Sequence, residues 1–565
     1  MKLPTFTFPL SLPQSLSLPL CMILLTATIA QAVPPAVDPV NNEIAIVMDQ
    51  EPQWLNTVKA TDQVSFRILD HITEGLMTQD ANNKVVGGVA ERWELTDDTA
   101  TFWLRKDARW SDGEPVTAHD FVFAWQQVAN PASASEYAFL MRSFTNGEAI
   151  IAGEMPPESL GVEALDDHTL VAHLTAPTAY FLDLVTFISF RPVREDYYRA
   201  QGQVYAADAD KMLSNGPFVL TEWVHGASMR MEKNPYYWNA EATRLNAINV
   251  PYFTEDANAR FNLFMDDKIS MATGLDISSM KMAMQQRQKL RSFRDGTVFY
   301  IGFNHRPDRP ASNVNLRRAM QSVYDVEELT YKVIGVPGNV PSYSLFPAWL
   351  EGDEDKLLAE YPPHKPSLDT EQALEYLRLA KQELGVDEMP PLTLLLSDTP
   401  GSIKQGEHFQ NLMSRTLGLD IRLDRQIFKQ RLAKMSAGDY DMVGAGWGPD
   451  YNDAMTFADL FTSWNLNNRG RYSSPRYDAL VKEALQTTDK RRRNRIFSEL
   501  QDLIYEDVVI LPQYERGYIY VQDKRIDGVR RSRIGGDPNY NFTWIKGAQD
   551  EGSAATQETS PAGGS

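Results

Sequence analysis

The stretch 444-GAGWGPDYNDAMTF-457 sets Trp447, Asp450 and Tyr451 on a segment broken by Gly444, Gly446, Gly448 and Pro449. Glycine carries no Cβ, so the backbone N–H and C=O groups of such a segment can come close to whatever lies opposite. Pro449 stiffens the turn, and Asp450 supplies a negative charge that, inside a cleft, calls for a cation. Residues 440–444 read as a short strand. The stretch therefore falls where a strand gives way to a loop, the edge at which open α/β sheets bind ligands. The same residues also describe a Trp-anchored surface loop with an exposed Asp, and by themselves they do not choose between the two readings.

On either side the chain alternates helix and strand. Upstream, apolar spacing predicts a strand over 297–303, a helix over 314–331, a helix over 374–384, a strand over 392–396, a helix over 405–417, a strand over 420–423 and a helix over 427–435. Downstream it predicts helices over 477–485 and 491–505 and late strands over 508–511 and 518–521. This is the pattern of an α/β unit. The N-terminal part adds a strand over 43–48, a helix over 62–76, a strand over 99–104, a helix over 118–128 with Thr117 as its N-cap, a turn and strand over 165–174, and a hairpin over 218–223 and 229–232. The aromatic cluster at 234–239 reads as a packed corner beside a proline turn. The basic run at 490–493 reads as a solvated helix start.

With 565 residues the chain is too long for one core, and typical domain sizes suggest roughly three or four domains. Hydrophobic residues at 43% and charged residues at 23% match an ordinary soluble protein. Met1 and Lys2, the apolar run 16–29 and Ala30-Gln31-Ala32 read as a secretory leader cleaved after Ala32, which places the mature chain in the periplasm. The single cysteine, Cys21, lies in that leader, and Leu18-Pro19-Leu20 is a poor approach to a lipidated cysteine. The mature chain then has neither disulfide nor thiol nucleophile. A net charge of −20 argues against nucleic acid and anionic lipid as partners, and leaves a cationic or zwitterionic small ligand open.

Motifs for catalysis are missing. There is no H-E-x-x-H, no G-x-S-x-G, no phosphate-binding loop and no dinucleotide fingerprint. The eight histidines are scattered without metal-ligand spacing. His168 and His173 read as an exposed pair, and Asp166-Asp167 and the acids at 351–355 as solvated turns. The expectation is no catalytic residue, no metal and no cofactor.

Four collinear stretches resemble the oligopeptide-binding proteins of bacterial ABC importers, within the large peptide/nickel-type family of extracellular solute-binding proteins. They are LRKDARWSDGEPVTAHDFVFAWQQVANP at 104–131, SNGPFVLTEW with EKNPYYWN within 214–239, FYIGFNHR with NLRRAM within 299–320, and GWGPDYND with YSSPRYDALV downstream. The resemblance spans about residues 44–521. It implies an α/β fold with mixed sheets, a three-domain periplasmic-binding-protein clamshell that closes about a two-segment hinge. The implied division is residues 1–32 as leader; 33–73, 206–296 and 516–547 as a discontinuous, ligand-facing domain I; 74–205 as an inserted domain II; 297–515 as domain III; and 548–565 as a disordered tail.

The resemblance also implies roles. Asp450 holds the position that pairs with a ligand ammonium, and the backbones of Gly446 and Gly448 would pair with an extended peptide. Trp447, Phe428 and Tyr514 line side-chain pockets, and Tyr137 stands as a lid tyrosine. Two departures matter. Gly444 stands where relatives that grip a tripeptide carboxylate carry an arginine, and Ser402 where the carboxylate of longer peptides meets a histidine. Lys404, Arg425 and Lys434 are the nearby cations left to substitute. The expected partners are an oligopeptide ligand and the membrane permease of an ABC importer, with the receptor a monomer. A dipeptide, a murein peptide or another amine-bearing solute remains an alternative ligand. A secreted hydrolase or a receptor feeding a signalling partner remains an alternative function.

Overall fold

The computed structural model describes residues 34–178 and 180–547; the leader expected at 1–32 and the tail expected at 548–565 lie outside the described residues. The fold is mixed α/β, built on three larger sheets. Glu43–Met48 (EIAIVM) is apolar at nearly every position, as a strand covered on both faces must be, and all of it but Glu43 is buried. It lies in a five-stranded sheet in the order Val37–Asp38, Glu43–Met48, Ala247–Phe253, Ser228–Lys233, Phe218–Val224. Glu43–Met48 and Ala247–Phe253 run parallel, and the other neighbours antiparallel.

The following helix is Gln63–Ile72, shorter than the predicted 62–76. Asp62 caps it, its carboxylate accepting from the Ser65 N–H at 2.9 Å, a contact of the kind worth about 1 kcal/mol. The helix stops because Thr73 turns extended and donates its hydroxyl to the Leu69 carbonyl at 2.8 Å. Glu74 then turns inward to accept from the Tyr237 hydroxyl and the Trp238 indole, both at 2.6 Å. The aromatic cluster at 234–239 is thus a packed corner.

A four-stranded antiparallel sheet follows in the order Ala90–Leu95, Thr99–Leu104, Thr169–His173, Val162–Asp166. Alternation in Thr99–Leu104 buries Ala100, Phe102 and Leu104. Helix Ala118–Ala129 packs near this sheet, started by a capping box between Thr117 and Asp120, and buries Phe121, Trp125 and Val128.

The third sheet has seven strands, with Met271–Ala272, Ile510–Gln522, Arg291–Phe303, Met442–Trp447, Leu392–Ser397 and Ile421–Gln426 in order and Val340–Pro341 beside Ile510–Gln522. Its backbone is the antiparallel pair Arg291–Phe303 and Ile510–Gln522, each 13 residues long. From sequence only shorter strands are expected here, over 297–303, 508–511 and 518–521, and Pro512 and Gly517 fall between the last two. Pro512 is tolerated because it sits at a register shift opposite Tyr300, where a ladder hydrogen bond is already lost. Gly517 is required by a close crossing: a Cβ there would stand 2.4 Å from the Gly338 carbonyl carbon. Helices Val314–Gln321, Thr370–Leu384 and Pro400–Leu417 bury Leu316, Met320, Leu377, Phe409 and Met413 in a core with this sheet's Leu394 and Ile301. The predicted helix over 314–331 breaks because Asp325 starts a new turn, its carboxylate accepting from the N–H groups of Glu327 and Glu328.

Candidate functional site

The strand that carries the quoted stretch is Met442–Trp447, not 440–444, so Gly444 and Gly446 lie inside a strand rather than in a loop beyond it. Glycine is a poor strand residue, but Arg291–Phe303 pairs with this segment as far as Val298↔Trp447 and holds it extended. On its other side Leu392–Ser397 pairs only with Met442 and Val443. Residues 444–447 therefore border the cleft with no strand on the side away from Arg291–Phe303. The Asn304 N–H donates to the Asp441 carbonyl at 2.9 Å, which turns odd-numbered backbone groups toward Arg291–Phe303 and even-numbered ones away. Gly444 and Gly446 thus aim their N–H and C=O groups at the open side, where the Arg431 guanidinium donates to the Gly444 carbonyl at 2.6 Å.

A cavity of about 360 Å3 opens there. The structure places Asp450, Trp447, Gly446, Gly448, Phe428, Tyr514 and Tyr137 on its wall, together with Gly444 and Ser402. Trp447 spends its indole N–H on the Thr456 carbonyl at 2.9 Å and offers the cavity its ring. Tyr514 stacks on Phe299 with ring centres 5.0 Å apart and planes 6° apart. Tyr137 donates its hydroxyl to Asp450 Oδ1 at 3.1 Å across 313 positions of sequence.

Asp450 is 4% exposed, and among the described residues no cationic side chain lies within 4.0 Å of its carboxylate. Burial pushes its pKa up to about 8, and the Tyr137 hydrogen bond offsets only part of that. A buried carboxyl in this condition is stabilised by any ammonium delivered to it.

Of the three cations singled out from sequence, none lines the cavity. Lys404 gives its ammonium to the Val333 carbonyl. Lys434 is held by Asp424 at 2.5 Å and Asp439 at 3.1 Å. Arg425 lies exposed on Ile421–Gln426, on the far side of Leu392–Ser397 from the open edge. The wall carries Arg67, Arg431, Arg469 and Arg516 instead. Arg516 pairs with Asp295, and Arg469 with Glu136 at 2.5 Å. Helical spacing could have found Arg431, since it stands three places after Phe428 on Phe428–Ala437 and its guanidinium lies 5.3 Å from the Phe428 ring. Arg469 has no such local signal, because its partner Glu136 is distant in sequence.

The wall therefore combines an open sheet edge, apolar pockets, a buried carboxyl without a cation in contact and a guanidinium without a carboxylate in contact. Among the described residues no group of His, Cys, Asp and Glu could hold a metal ion, and no helix is long and apolar enough to cross a membrane. Over residues 84–468 the chain matches the family described as bacterial extracellular solute-binding proteins, family 5 Middle. It is similar to the periplasmic oligopeptide-binding protein OppA of Haemophilus influenzae, 31% identical over 514 residues that cover 88% of this chain and 91% of that protein. Among solved structures it is similar to Listeria monocytogenes OppA bound to peptide, with TM-score 0.84 and 30% identity over 90% of this chain and 99% of that one. An unliganded open form of a periplasmic murein tripeptide binding protein agrees less well, with TM-score 0.60 and 25% identity over 90% of this chain and 98% of that one. A family match across more than half of the chain, on a fold shared over nine-tenths of it, makes this protein a member of the family 5 bacterial extracellular solute-binding proteins.

Proposed function

We propose that this protein is a periplasmic receptor that captures oligopeptides beside Met442–Trp447 and delivers them to the membrane permease of an ABC importer. The observation that carries the reading is the open edge at 444–447 followed by Asp450, a buried carboxyl with no cation of its own. A peptide added at that edge, with its amino end at Asp450, runs antiparallel to Met442–Trp447. Main-chain hydrogen bonds then supply affinity whatever the side chains are, and Trp447, Phe428, Tyr514 and Tyr137 wall the pockets that receive them. The agreement with a peptide-bound relative, against weaker agreement with an unliganded open form, supports reading this arrangement as the closed one.

The three-domain division at residues 73/74, 205/206, 296/297 and 515/516 belongs to the same proposal. It is supported by the Arg291–Phe303 and Ile510–Gln522 pair, whose register shifts between Arg294 and Val298, where two of these boundaries fall. The receptor is proposed to act as a monomer, without a cofactor and without chemistry on its ligand, after export by the leader at 1–32.

Native mass spectrometry of protein isolated from its own periplasm is expected to show retained peptides with free amino ends. In calorimetry, Asp450→Ala is expected to weaken such peptides by about 100-fold or more while leaving N-acetylated ones far less affected. Equal loss for both kinds would remove Asp450 from the ammonium role. Turnover of added peptides would overturn the receptor reading.

A further inference from the structure

The cavity wall also carries cations with no carboxylate in contact, Arg67 and Arg431, and of these Arg431 is fixed on the binding strand. Among the described residues no carboxylate oxygen stands within 4.0 Å of the Arg431 guanidinium. One nitrogen, Nη1, is anchored on the Gly444 carbonyl at 2.6 Å, while Nε is buried with no hydrogen-bond partner. Its neighbours compensate it only in part: Arg469 adds like charge, and Glu255, which favours the charged guanidinium, is itself pushed up to about 7 by burial and by Asp49. A half-buried guanidinium with no carboxylate in contact and the buried carboxyl of Asp450 are each stabilised by a ligand group of opposite charge, and one zwitterionic ligand can supply both.

We propose that Arg431 is the carboxylate anchor of this cleft and, with Asp450, makes it a site for a zwitterionic peptide of about three or four residues. The proposal rests on the receptor reading above and adds to it the residue and the ligand length. Both charges are tied to one strand. Arg431 is pinned at Gly444, and Asp450 follows the strand end at Trp447. The three steps from Gly444 to Trp447 cover about 10 Å, to which the turn through Gly448 and Pro449 adds a few more. An extended peptide of about three or four residues places its ammonium and carboxylate at that separation. Gly444 supplies no side chain here, and a Cβ at that position would come within 2.8 Å of Leu396 Cδ2, which would have to shift. The cation therefore arrives from the neighbouring helix Phe428–Ala437 instead of from the strand.

The carboxylate could be the ligand's C-terminus or an acidic side chain, and the test separates the two. Calorimetry is run with tri- and tetra-alanine as free acids, the same peptides C-terminally amidated, and amidated peptides carrying Glu at the last position, against wild type, Arg431→Gln and Arg431→Lys. The expected result is that wild type prefers the free acid over the amide by about 10- to 100-fold. Arg431→Gln should erase that preference, bringing the free acid and the amide to equal affinity, and Arg431→Lys should restore part of it. A preference for the Glu-bearing amide that Arg431→Gln erases supports Arg431 as anchor with a side chain as the source. Wild type indifferent to both carboxylates overturns the proposal and needs no variant to fold. A preference that survives Arg431→Gln, or is lost with Arg67→Gln instead, overturns it too. If no alanine or other peptide binds wild type at all, the receptor reading itself fails.

Discussion

At the scale of a single residue, Asp450 couples ligand binding to protons. Burial holds its pKa near 8, whereas a carboxyl in an unfolded chain titrates near about 3.9. Between those values the unliganded folded protein keeps a proton that the unfolded chain releases. The stability tied to this proton is fully present below about pH 4 and is lost as pH rises through about 8. Raising pH from about 5 to about 9 should therefore lower the Tm of wild type relative to Asp450→Asn, and a constant gap between the two would refute the assignment. An arriving ammonium favours the ionised carboxylate, so binding below pH 8 expels the proton. Peptide affinity should climb toward pH 8 and fall beyond it, as the peptide amine, with a pKa of about 7.7–8.0, loses its own charge. Calorimetry in buffers of different ionisation enthalpy should read close to one proton released per peptide near about pH 6, and none with Asp450→Asn.

At the scale of elements, the two 13-residue strands share an irregularity at the domain boundaries proposed above. Their register shifts between Arg294 and Val298, and in that gap Gly296 takes φ +78°, a conformation an L side chain adopts only under strain. A Cβ there would also sit 2.6 Å from the Trp349 indole nitrogen. Gly296→Ala is expected to cost about 1–3 kcal/mol in urea unfolding. Unchanged stability would mean that this crossing is not under the constraint its geometry describes. The same strands show why part of the sheet was hidden from sequence. Pro512 and Gly517 carry local breaking signals, and only the bulge opposite Tyr300 and the close crossing with Gly338 make them compatible with one continuous strand. Gly444 and Gly446 misled in the same way: a strand partner, not propensity, keeps them extended.

At the scale of the molecule, contacts between distant segments join the two sides of the cavity, and they are the contacts that would hold the closed state proposed above. Tyr180 stacks on Tyr451, ring centres 5.4 Å apart and planes 7° apart, and Arg493 lies over the Tyr180 ring at 5.2 Å. Glu136 pairs with Arg469, and its carbonyl accepts from the Asn467 amide at 3.2 Å. Arg493, within the run read as a solvated helix start, is instead half-committed to the interior through Asp453 at 2.7 Å. Tyr180 does not line the cavity, so a direct contact with the ligand is not what its removal would take away. Tyr180→Ala is expected to weaken peptide binding by about 3- to 10-fold while leaving the acid-over-amide preference intact, because apparent affinity scales with the competent fraction. Small-angle scattering should show a larger mean radius for the variant at subsaturating peptide and the same radius at saturation.

Sequence alone settled the periodic and the collinear. The amphipathic helices, the Thr117 cap, the buried strand at 43–48 and the place of Asp450 in a Gly-rich stretch were legible, because each is written in spacing within a short window. Tertiary structure decided what depends on distant neighbours: that the stretch is an open strand edge rather than a loop, that Lys404 and Lys434 already have partners elsewhere, and that Arg431 reaches the Gly444 carbonyl. The physical reason is that a side chain's charge is local information, whereas whether that charge is compensated is a property of everything folded around it.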